Sequence, residues 1–256
     1  MPIHPRDHFR PTPAPPDAPV WRDRDVHLWA ASLAQPPARV AALRRLLSTE
    51  ERLRADRFRA ARHGQRHVVA HGLLREILGA YRRRPPGGLE FALGAHGKPA
   101  LVAADDAEPL HFNLAHSGDH LLVGIARQPL GVDLEVLRPD RHFLRLAGRF
   151  FAPAELHALR SVDEAARPEA FYNAWTRKEA YLKALGTGLS VPLATFEVAL
   201  VPGERARMIR VHDPEDDPAR WSVFDLRPGE DLVAALALRG HGWRVQAWRL
   251  VENRAG

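Results

Sequence analysis

The sequence predicts an α+β fold of two similar lobes in a pseudo-twofold arrangement, each a small antiparallel sheet packed on a long helix. Three observations carry this expectation. The order of periodic segments repeats coarsely, so that each half opens on a strand, runs through helices that include a long one, and closes on further strands. A chain of 256 residues is long enough for one large core or two smaller ones. Hydrophobic residues make up 45% of it and cysteine is absent, so the core rests on packing and not on disulfides or thiolate-bound metal.

The elements follow in order. Seven of the first 20 residues are proline, which predicts a disordered arm with polyproline character over 1–20. Val26-His27-Leu28-Trp29-Ala30 reads as a strand. Apolar residues at helical spacing (Val40, Leu43, Leu46, Leu47, Leu53, Phe58) mark residues 38–62 as helical, and Ser48 with Glu51 three positions later is a capping box that starts a new helix inside this stretch. Val68, Val69, Leu73, Leu74, Ile77 and Leu78 form the buried stripe of a long helix over 64–81, ended by Pro85-Pro86-Gly87-Gly88. Strands are predicted at 89–93, 111–115, 121–126 and 130–136, with turns at 94–99 and 116–119. Helices at 140–150, 153–161 and 167–186 and strands at 195–200, 221–226, 232–238 and 243–250 complete the order. The expected division is an arm over 1–20, a first lobe over 21–128 and a second lobe over 129–256.

Several function classes drop out. No apolar run approaches the roughly 20 residues that a membrane helix needs. The polar, proline-rich N-terminus has no secretory h-region, so a cytoplasmic location is expected. The net charge is +6, yet the basic residues are spread along the chain, with Arg82-Arg83-Arg84 as the tight cluster. Neither a nucleic-acid-binding motif nor an aromatic-basic platform accompanies them, so no nucleic-acid partner is expected. A polyanionic small molecule or an acidic protein suits the charge better.

Lysine is scarce: of 37 basic residues only Lys98, Lys178 and Lys183 are lysine. A compact ammonium whose pKa moves on burial can do what a permanent guanidinium cannot, so these three positions are candidates for chemistry. Two of them lie in Trp175-Thr176-Arg177-Lys178-Glu179-Ala180-Tyr181-Leu182-Lys183, where Glu179 and Lys183 also form an ordinary i, i+4 surface pair. In Gly131-Val132-Asp133-Leu134-Glu135 the two carboxylates share one strand face. Such a face is either a wet acidic edge or half of a divalent-cation site, and oxygen ligands suit Mg2+. His96-Gly97-Lys98-Pro99 and Phe112-Asn113-Leu114-Ala115-His116-Ser117-Gly118 each put a basic side chain at a turn.

In this order and at these separations, GKP, FNLAHSG, GVDLE and WTRKEAYLKALGTGL resemble the 4′-phosphopantetheinyl transferase superfamily, in its larger, two-lobed monomeric branch. The resemblance spans about Val26 to Leu250. It implies transfer of 4′-phosphopantetheine from coenzyme A to a serine of an apo acyl or peptidyl carrier protein, releasing adenosine 3′,5′-bisphosphate. Polyketide and nonribosomal-peptide carriers are favoured by the larger branch. Asp133, Glu135 and Glu179 would hold Mg2+, Glu179 would take the serine proton, and Lys183 would assist the leaving group. Arg54, Arg66, Lys98, His116, Ser117 and the supporting Lys178 would serve coenzyme A. The chain departs from the pattern at Ala115, where a serine is common, with Ser117 as the substitute phosphate donor. It departs again at Glu51, in place of a basic residue, and at His67, in place of a hydroxyl. The alternative is a non-catalytic module that binds coenzyme A or a carrier protein.

Overall fold

Ser48 shows how local chemistry sets the frame. Its hydroxyl accepts from Glu51 N at 3.2 Å, while Glu51 Oε2 accepts from Ser48 N at 2.7 Å, which closes the capping box. One helix, α1 (Pro37–Leu46), therefore ends just before it, and α2 (Thr49–Asp56) begins just after it. The computed structural model describes residues 9–12, 20–94, 96–102, 108–138 and 142–251. Besides α1 and α2 it contains β1 (Phe9–Thr12), β2 (Asp25–Ser32), α3 (Ala61–Arg82), β3 (Phe91–Leu93), β4 (Pro99–Leu101), β5 (His111–Ser117), β6 (His120–Ala126) and β7 (Leu130–Val136). The chain continues through α4 (Phe143–Phe150), α5 (Pro153–Ser161), α6 (Arg167–Leu185), β8 (Glu197–Val198), β9 (Met208–Arg210), β10 (Trp221–Leu226), β11 (Leu232–Arg239) and β12 (Arg244–Leu250).

These elements make the expected α+β fold. A five-stranded sheet has the order β1-β12-β2-β6-β5, and a three-stranded antiparallel sheet has the order β10-β11-β7. The long helix α3 covers one face of the first sheet. Its stripe of Val68, Val69, Leu73, Leu74, Ile77 and Leu78 packs with Trp29, Leu121, Val123 and Ile125. The second sheet carries α6, whose Tyr181 and Ala184 pack with Phe196, Ala235 and Ala237. The other faces of both sheets share a third core, with Leu28 and Leu122 from the first and Val132, Leu134 and Leu236 from the second. Two short hairpins, β3–β4 and β8–β9, lie outside these sheets.

The antiparallel expectation holds for β2, β6 and β5. Two parallel strands extend that sheet: β12 pairs with β2, and β1 pairs with β12. The expected disordered arm is thereby corrected at Phe9–Thr12, which lie in register with Ala247–Leu250. An edge strand tolerates Pro11, because the ladder N–H it lacks can face away from the partner. Positions 1–8 and 13–19 of the arm, and 140–141 of the helix expected at 140–150, lie outside the described residues. The strand expected at 195–200 shortens to β8. Among the described residues, no helix is long and apolar enough to cross a membrane.

Candidate active site

Helix α6 lies directly on β7. A Cβ added to Gly131 would stand 2.0 Å from Ala180 O and 2.4 Å from Ala184 N, so only glycine permits this approach. The strand alternation sends Val132 and Leu134 into the core between the sheets and turns Asp133 and Glu135 toward the helix. Glu179 and Lys183, one turn apart, are the α6 residues that meet them. Lys183 Nζ donates to Asp133 Oδ1 at 2.6 Å. Gly186 (φ 75°) then ends the helix, its N–H bonded to Leu182 O at 2.9 Å.

The carboxylates feel one another. Burial pushes the Asp133 carboxyl up to about 7, opposed by Lys183 and reinforced by the charges of Glu135 and Glu179. Burial raises Glu179 too, with Lys183 lowering it and Glu135 adding to the rise. Asp133 Oδ2 is buried and without a hydrogen-bond partner. An unpaired buried carboxylate oxygen is costly unless a cation or donor meets it. Among the described residues, no three Asp, Glu, His or Cys side chains stand in a ready coordinating arrangement, and the Lys183 ammonium is the cation against Asp133. The donor set nevertheless fits a hard divalent cation: three oxygen ligands from two elements, one of them with an orphaned atom.

A basic strip leads away from these acids. His116, near the end of β5, is held below the usual imidazole range by burial and by the charges of Lys183, His71 and Arg66, against the pull of Glu135. Arg66 on α3 also donates to Asp119 Oδ1 at 2.7 Å. The His67 and His71 rings lie with centroids 4.1 Å apart and planes tilted by 37°. Burial, His71 and Arg54 hold His67 down to about 4. Arg54, exposed on the last turn of α2, thus joins the strip through His67. Arg54, His67, His71, Arg66, His116 and Lys183 thus stand within electrostatic reach of one another, with Glu135 at the far end.

The remaining expected residues land differently. Lys98 reaches the site's frame with its ammonium on backbone: Nζ donates to Leu130 O at 3.0 Å and to Lys183 O at 2.5 Å, joining the start of β7 to the last turn of α6. Burial and Lys183 bring it down to about 8. Ser117 bonds Glu135 Oε2 and Val136 N and stands among the acids. Lys178 is corrected outright. It is fully buried, donates to Leu193 O at 2.8 Å and Phe196 O at 2.6 Å, and pairs with Glu155 at 2.8 Å. One residue from Glu179, it points into the core and reaches no ligand. Its neighbour Arg177 is likewise structural, bonded to both oxygens of Asp225.

Glu51, the expected departure, is neutralised from within. Burial alone would raise its pKa, but hydrogen bonds from His71, Ser48 N and Arg75 hold it to about 2. Arg75, buried at 2% exposure, also donates to the Pro86 and Leu89 carbonyls. Sequence reasoning missed Arg75, Asn113 and the packing role of Gly131. An arginine inside the apolar stripe of α3 was the available signal for the first, and the glycine opening GVDLE for the last.

Comparisons with known proteins point to one family. A family model described as the 4′-phosphopantetheinyl transferase superfamily matches residues 129–237, the stretch that holds β7 and α6. 4′-Phosphopantetheinyl transferase HetI of Nostoc sp. is 40% identical over 238 residues, covering 92% of this chain and 96% of the relative. 4′-Phosphopantetheinyl transferase Sfp of Bacillus subtilis is 28% identical over 192 residues, covering 75% and 82%. The human L-aminoadipate-semialdehyde dehydrogenase-phosphopantetheinyl transferase is 27% identical over 211 residues, covering 76% and 68%.

Proposed function

The chain belongs to the 4′-phosphopantetheinyl transferase superfamily, and on that premise we propose that it moves the 4′-phosphopantetheine group of coenzyme A onto a serine of an apo acyl or peptidyl carrier protein. One observation supports this most directly: the Lys183 ammonium on Asp133 at 2.6 Å, where the charges of Glu135 and Glu179 also act on Asp133. Asp133, Glu135 and Glu179 would hold Mg2+, which supplies charge neutralisation at a pyrophosphate.

This chain's own residues do the rest. His116, Arg66 and Arg54 hold the phosphates of coenzyme A along the strip. Glu179, its carboxyl raised by burial, takes the proton of the carrier serine hydroxyl as that oxygen forms its bond to the phosphorus bearing pantetheine. The bond from that phosphorus to the nucleotide oxygen breaks, and adenosine 3′,5′-bisphosphate leaves. The Lys183 ammonium stabilises the negative charge that develops on the departing oxygen. Because such transfers need positioning more than covalent help, the fixed contact of α6 on β7 is the device that matters. The first sheet with α3 and the second with α6 act as the two lobes of one monomer, the expected division at 128/129 being crossed by β12, which joins the first sheet. The basic surface steers an acidic carrier protein to it.

The test is transfer from fluorescently labelled coenzyme A to purified apo carrier domains. Labelling that needs Mg2+, stops with EDTA and is absent for Asp133→Ala supports the proposal. Equal labelling by Asp133→Ala would remove the carboxylate cluster from the reaction.

A further inference from the structure

Strands β5 and β7 lie side by side where the two sheets meet, yet each forms its ladder only with its other neighbour, β5 with β6 and β7 with β11. The edge of β7 facing β5 therefore offers N–H groups that no strand carbonyl takes, and a buried N–H left unpaired costs about 1–3 kcal/mol. Two β5 side chains take two of them. Asn113 Oδ1 accepts from Val132 N at 2.8 Å, and Ser117 Oγ accepts from Val136 N at 3.2 Å. Acceptor and donor are 19 residues apart in both bonds, so the two strands run in step and the side chains stand in for the carbonyls of a parallel partner. The two bonds bracket Asp133 and Glu135.

Ser117 does one thing that Asn113 does not. Its single hydroxyl proton goes to Glu135 Oε2 at 2.7 Å while its lone pair takes the Val136 N–H. We infer that Ser117 is a positioning residue for the divalent-cation site: sharing its hydroxyl between the backbone of β7 and the Glu135 carboxylate, it fixes the direction of that carboxylate and leaves Oε1 for the cation. Asn113 is its purely structural counterpart, clasping the strand without touching an acid. The inference rests on the reading of Asp133, Glu135 and Glu179 as that site, and it moves Ser117 from the phosphate of coenzyme A to the metal ligands' support.

The experiment is Mn2+ titration of the full chain in the presence of coenzyme A, with free Mn2+ read by electron paramagnetic resonance, which needs no turnover. Ser117→Ala weakens Mn2+ binding by about tenfold or more, in line with the loss of other groups that orient metal ligands. Ser117→Thr, which keeps the hydroxyl, restores most of the affinity. Asn113→Ala lowers the melting temperature but binds Mn2+ within about twofold of the unaltered chain, since it leaves the Glu135 bond in place. Should the alanine variant fail to fold, Ser117→Cys, similar in size with a weaker donor, carries the same expectation. Unchanged Mn2+ affinity in a folded Ser117 variant lacking the hydroxyl, with binding lost in Asp133→Ala, overturns the positioning role and leaves the site standing. No Mn2+ binding by the unaltered chain overturns the site, and the inference with it.

Discussion

Successive helix positions point about 100° apart, so a run of charged residues on α6 divides between two environments. Lys178 enters the core and pairs with Glu155, while Glu179 and Lys183 face β7. Lysine scarcity picked out Lys98, Lys178 and Lys183, and each ammonium does serve a defined set of acceptors. It could not separate a core lysine from a site lysine, because both places need a compact cation; only the packing does. Two substitutions should therefore part company. Lys178→Met leaves the buried Glu155 with its two backbone donors but no cation, and should cost about 3–5 kcal/mol in urea denaturation. Lys183→Arg should fold normally but lose about 100-fold or more in transfer rate, because a bulkier planar cation cannot take the ammonium's place on Asp133. Near-normal turnover of Lys183→Arg would count against its role at the leaving group.

Strand and helix alternation made most elements legible. The span 130–136, the capping box at Ser48 and the helix at 153–161 follow directly from period and capping chemistry. Three-residue strands such as β4 and β9 carry too few positions for any period to register. What alternation could not convey is how closely two elements approach, and here Gly131 decides. Gly131→Ala puts a methyl 2.0 Å from Ala180 O, a backbone atom that cannot step aside. Helix α6 must then shift from β7. The expected loss is about 3 kcal/mol in denaturation, with transfer falling further than stability because Glu179 and Lys183 move with the helix. A variant as stable and active as the parent would show that this contact is looser than described.

The order of elements predicts two similar lobes, and the last strand departs from that plan. Sequence order cannot say that β12 crosses back to sit between β1 and β2, because pairing partners far apart in the chain leave no local trace. Ending the chain after Gly242 removes the middle of that edge, exposes β2, and should abolish cooperative unfolding in a thermal melt. His27 on β2, bonded to Tyr81 and stacked edge-on with Trp248, ties the same sheet together. Burial lowers its pKa from 6.5 to about 4, with Asp25 opposing. In the unfolded chain it titrates near 6.5, so between those values the unfolded state binds the extra proton. Stability should therefore fall as pH drops from about 6.5 to 4, by about 3 kcal/mol from this group, and level off below. Urea midpoints across this range check it, and His27→Gln should flatten the slope.

On the proposed function, this acidic and basic surface carries phosphopantetheine from coenzyme A to a carrier serine. Intact-protein mass of an apo carrier domain, incubated with the enzyme, coenzyme A and Mg2+, tests it most directly. The expected result is a gain of one phosphopantetheine group, lost with EDTA and lost again with Glu179→Gln. A carrier mass unchanged across acyl and peptidyl carriers, or a gain that Glu179→Gln supports at the parental rate, would contradict it.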